Sequence, residues 1–124
     1  MRNLLAFGFV LLVLGACQPK ETIPTVEILS PEEGATIMGG GETRIQVTIS
    51  DEDELHDYEI TIMNTTTNKE VFYYDGHEHT QNLMIDTTVT LDVTEHSDMT
   101  LTVMASNHGG GETTQAVSFH HHPQ

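Results

Sequence analysis

The chain has 124 residues, with 19 Asp and Glu against four Lys and Arg, for a net charge of −15 with histidine neutral. Such a surface repels nucleic acid and anionic lipid head groups and attracts cations, so nucleic acid is excluded as a partner. A single cysteine excludes both a disulfide framework and a paired-cysteine metal site.

Arg2 gives the N-terminus a short positive stretch, and Leu4 to Ala16 is an apolar run of 13 residues. A bilayer-spanning helix needs ~20 residues, so the run suits the apolar core of a secretory signal instead. It ends in Leu14-Gly15-Ala16-Cys17, which resembles a bacterial lipobox. The resemblance implies cleavage before Cys17 and acylation of that cysteine. Residues 1–16 are then a lipoprotein signal peptide, and residues 17–24 a polar, lipidated tether. A lipid anchor holds a protein to the cell envelope without a spanning segment. The mature chain has roughly 108 residues, the size of one domain.

From residue 25 onward, period-two patterns dominate. Thr25 to Ser30 is a first strand, closed by the turn Pro31-Glu32-Glu33-Gly34. Gly39-Gly40-Gly41 breaks the chain again. Thr43 to Ser50 alternates, with Ile45, Val47 and Ile49 on one face. Asp51 to Glu54 is an acidic loop without the spacing of an EF-hand. His56 to Asn64 alternates with Tyr58, Ile60 and Ile62 inward, and Asn64 to Asn68 is a polar turn. Val71 to Tyr74 is a short strand. Val89, Leu91 and Val93 mark another, and Met99, Leu101, Val103 and Ala105 the next. Asn107 to Gly111 is a glycine-rich loop, and Val117 and Phe119 face inward on the last strand. The expected fold is all-β. It is an antiparallel immunoglobulin- or fibronectin-like β-sandwich of about seven strands over residues 25–119. Residues 120–124 are expected to form a flexible His-rich tail. The expected core is Ile45, Val47, Ile49, Tyr58, Ile60, Ile62, Val89, Leu91, Val93, Leu101, Val103, Val117 and Phe119.

The runs PTVEILSPEEG, ISDEDELHDYEITIMN and DGHEHT resemble a family of small Ig-like lipoproteins from Bacteroidota-type bacteria. The resemblance spans most of residues 24–119. Within it, Gly76, His77 and His79 match a Gly-His-x-His element. It implies an Ig-like fold at the cell envelope and supplies no catalytic residues.

Eight histidines stand out in so short a chain. Consecutive strands of a sandwich alternate direction, so loops alternate between two poles. That sorts His56, His77, His79 and His108 to one pole, with Asp51, Glu52, Asp53, Asp75, Glu78 and Glu112 around them. His96, His120, His121 and His122 go to the other. Imidazole with carboxylate suits Zn(II), Cu(II) or Ni(II). The first group is therefore the candidate metal site and the second a weaker one. No serine, histidine and acid fall in a catalytic order, and the glycine triplets precede no helix, so no enzymatic activity is expected. The leading expectation is a membrane-anchored lipoprotein binding zinc or copper, beside an outer-membrane transporter or surface protein. The alternative is a structural or adhesive Ig-like module for a protein or glycan partner, with incidental histidines.

Overall fold

The computed structural model describes residues 22–39 and 42–123. Cys17 and the signal segment lie outside the described residues. Eight strands follow in order: β1 (Thr25–Ser30), β2 (Thr36–Met38), β3 (Glu42–Ser50), β4 (Leu55–Asn64), β5 (Lys69–His77), β6 (Asn82–Thr90), β7 (Ser97–Asn107) and β8 (Glu112–His122). They form two sheets, β1-β3-β6 and β2-β8-β7-β4-β5. All pairings are antiparallel except β2 with β8.

Alternation explains the two layers. Ile45, Val47 and Ile49 of β3 meet Ile60, Ile62, Leu101, Val103 and Phe119 across the sandwich, and all are buried. β-branched residues dominate these inward positions, where a pleated surface suits them. Tyr58 and Leu91 are buried as expected, while Val89, Val93 and Val117 are half-buried against the same cluster. Val26, Leu55, Met99 and Ala105 complete the buried core.

Three boundaries differ from expectation. The strand placed at Val89–Val93 starts earlier, at Asn82, and ends at Thr90. Its inward parity is the expected one, but Asp86 and a run of threonines hide the stretch that pairs with β3. Second, β5 does not stop at Asp75-Gly76. Both residues stay paired with β4, Gly76 opposite Tyr58 and His77 opposite Asp57. Third, residues 120–122 are not a tail. They are the end of β8, paired with β2 throughout and, at His120 and His121, with β7 on the other side. The three-residue strand β2 had no visible period, and it is what gives the end of β8 a second neighbour. His121 points inward from this end and is fully buried.

Residues 22–24, expected to belong to the tether, are docked. Thr22 Oγ1 donates to Asp51 Oδ1 at 2.7 Å, and Asn107 Nδ2 donates to the Thr22 carbonyl at 2.8 Å. Gly111 makes this possible, since a side-chain carbon there would collide with the Thr22 carbonyl.

Candidate metal centre

The site is built at the pole where β3 passes to β4, β5 to β6, and β7 to β8. Backbone hydrogen bonds tie the three connections together. Leu55 N donates to Thr80 O at 2.8 Å, Glu78 N to His56 O at 3.0 Å, and His108 N to Glu54 O at 3.0 Å. Each histidine is thereby carried on a braced segment rather than a free loop.

The local geometry of β4 is decisive. Its pairing with β7 shifts between Leu55 and Tyr58, so His56 and Asp57 together oppose the single residue Ser106. This is a β-bulge, a device that re-aims side chains. Ser106 Oγ accepts from Asp57 N at 3.3 Å. Leu55 and Tyr58 are both buried although three positions apart, so inward parity slips by one residue. The slip lets the neighbours His56 and Asp57 meet, with His56 Nδ1 2.9 Å from Asp57 Oδ2. In a regular strand they would face opposite sides.

The carboxylate of Asp57 also reaches across to β5, where His77 Nδ1 lies 2.8 Å from Oδ1. From there the imidazoles run in series. His77 Nε2 is 3.0 Å from His79 Nε2, and His79 Nδ1 is 3.2 Å from His108 Nε2. One set of neutral tautomers satisfies every link: Nδ1–H on His77, and Nε2–H on His79 and on His108. The His56 ring centroid stands 4.4 Å from that of His77 and 5.1 Å from that of His108. All four histidines assigned to this pole therefore converge. The hydrogen bond from His77 outweighs the opposing effect of burial and, with the neighbouring His56, holds the Asp57 carboxyl below its usual range.

Two adjacent donor sets result: His56, Asp57 and His77, and Glu54, His79 and His108, each with ligand atoms within 4.8 Å of one another. Two nitrogens bound to one tetrahedral zinc at 2.0–2.1 Å stand about 3.3 Å apart. The 3.0 Å His77–His79 spacing is close to that span. Sequence reasoning missed Asp57 and Glu54 as the carboxylates involved. The bulge hid Asp57, and Glu54 was read only as part of an acidic loop. Asp51, by contrast, is spent on structure. Burial would raise its pKa, but hydrogen bonds from Thr22, Asn107 and the Asp53 backbone outweigh that and lower it. Asp75, Glu78 and Glu112 join neither donor set.

The opposite pole also gathers its histidines. His96, His120 and His122 form a third donor set, with ring centroids 3.9 to 5.8 Å apart. His121 is excluded from it by the strand's period. Burial and the neighbouring histidines push the His121 pKa down, and neither of its ring nitrogens has a hydrogen-bond partner among the described residues.

Two facing sheets of this size, joined by crossing loops that carry the polar side chains, define an immunoglobulin-like module. Residues 24–114 match the bacterial Ig domain family, Big_7, and the chain belongs to that family. Its fold is similar to that of the fibronectin(III)-like modules of CbhA from Clostridium thermocellum. That match has 14% identity and a TM-score of 0.50, over 79% of this chain and 96% of the other. It is also similar to part of OgpA from Akkermansia muciniphila, with 13% identity and a TM-score of 0.54, over 87% of this chain and 30% of OgpA. No curated protein sequence matches it.

Proposed function

We propose that this Ig-like module is a lipid-anchored protein of the cell envelope that captures a divalent late transition metal, Zn(II), Cu(II) or Ni(II). The observation that carries the reading is the convergence of four imidazoles from β4, the β5 end, the following loop and the β7–β8 loop. His77 and His79 form the nucleus of the site, and His56 or His108 supplies a further nitrogen. Asp57 accepts from the Nδ1 atoms of His56 and His77, which leaves their Nε2 lone pairs for the cation. The acidic surface raises the local cation concentration. A transporter or other envelope protein would receive the metal.

Calorimetric titration with Zn(II) at neutral pH tests this. His77→Ala/His79→Ala should weaken binding at this pole at least tenfold. Imidazole binds metal only when neutral, so affinity should also fall as the solution is acidified. Equal affinity in parent and double variant would refute the site. The anchor is tested separately. Cys17→Ala should abolish labelling by a clickable fatty acid in cells, and equal labelling would refute lipidation.

A second reading rests on a different surface. A slot between the edges of the two sheets is lined by Tyr58, Phe72, Tyr74, Leu83, Met84 and Ile85. Tyr74 and Met84 are exposed there. Exposed apolar surface of this kind suits a protein or glycan partner, and a module that docks through it would not depend on the histidines.

A further inference from the structure

The far pole holds a second donor set of different composition. His96, His120 and His122 contribute three imidazoles and no carboxylate, whereas each donor set at the first pole includes one. We infer that His96, His120 and His122 form a separate, strand-built site for a late first-row divalent cation, selected by nitrogen ligands alone.

Its order comes from sheet register. β7 and β8 pair Ser97 with His121 and Asp98 with His120, so His96 lies one step on, beside His122. Their ring centroids are 3.9 Å apart. His120 and His122 share a face because they are two residues apart on one strand. Parallel pairing of Thr36–Met38 with His120–His122 fixes the strand from its other side, and Gly39 N donates to His122 O at 2.9 Å. The outer shell is present as well. His120 Nδ1 lies 2.9 Å from Asp98 Oδ1. A proton held between them leaves Nε2 free, the arrangement in which a carboxylate orients a metal-binding imidazole. Three imidazoles with one open position fit Zn(II), Ni(II) or Cu(II) and discriminate against Ca(II) and Mg(II), which require oxygen.

This site is distinct from a loose histidine run. A flexible run would use His120, His121 and His122 interchangeably. Here His121 faces the core, fully buried, and cannot reach the cation.

Zn(II) titration of the full chain carrying His77→Ala/His79→Ala isolates this pole. One equivalent should bind. His96→Ala should weaken it at least tenfold, since an exposed residue outside the strand run supplies one of three ligands. His122→Ala should do the same. His121→Leu should leave affinity within about twofold, because replacing an inward, unpartnered imidazole by an apolar side chain preserves the packing. Binding unchanged by His96→Ala would overturn the site. So would an equal loss from His121→Leu in a protein whose circular dichroism is native. His96→Ala decides the matter by itself if His121→Leu fails to fold. In the otherwise unaltered chain, His96→Ala/His122→Ala should leave binding at the first pole intact, so failure of one site is distinguishable from failure of the other.

Discussion

Gly76 links the fold to the first metal site, and replacing it by alanine is expected to damage both. Gly76 lies opposite Tyr58 in the β4–β5 ladder. The Tyr58 ring crosses directly over it, and a side-chain carbon built at Gly76 would fall inside the ring's contact distance. The ring has little freedom to retreat. Tyr58 is only 6% exposed, and its ring packs beside that of Tyr74, with centroids 6.1 Å apart. Forcing an extra carbon into a packed position costs ~1–3 kcal/mol, against a total of ~5–15 kcal/mol for a domain. A loss of ~2 kcal/mol lowers the melting temperature of a domain this size by about 8–15 °C. The next residue is His77, so displacement of this strand also disturbs the pair with Asp57 and should weaken Zn(II) binding several-fold. Thermal melts with and without Zn(II) measure both effects. A double-mutant cycle isolates the cause: in a Tyr58→Leu background, Gly76→Ala should cost less than ~0.5 kcal/mol. Equal cost in both backgrounds, or a melting temperature within about 2 °C of the parent, would refute the steric account.

Two further outcomes follow from the same geometry. Asp57→Asn gives one of the two imidazole Nδ1–H groups an amide NH2 to face instead of a carboxylate oxygen, and should lower Zn(II) affinity at the first pole ~10–100-fold while leaving the fold intact; competition titration reads this, and unchanged affinity would show that Asp57 does not orient the site. Asp51 contributes to acid stability. Its folded pKa lies below the ordinary carboxylate value, so its contribution is fully present above that value and is lost as pH falls through the folded one. Urea unfolding of Asp51→Asn from pH 6 down to pH 2 should therefore show lower stability at the upper end and a shallower decline below about pH 4 than the parent; parallel curves would remove Asp51 from the account.

Much of this architecture was written locally. The alternation of Ile45, Val47 and Ile49, and of Leu101, Val103 and Ala105, needs only the two-residue period of a strand. The assignment of eight histidines to two poles needs only that successive strands reverse direction. These are properties of short stretches and of chain order, and the structure follows both. What no stretch could reveal is pairing at a distance. The bulge at His56-Asp57 exists because β7 offers one residue, Ser106, against two. Without that mismatch, period two would put Asp57 on the face opposite its neighbour. The pairing of His122 depends on β2, more than 80 residues earlier in the chain. Docking of Thr22 depends on Asp51, Asn107 and the missing side chain of Gly111. The sequence by itself determined the inward parity of the regular strands and at which end each histidine lies. Only the tertiary structure decided which imidazoles touch, which carboxylate holds them and which one is buried, because register and bulges arise from hydrogen bonds between strands that the local period does not encode.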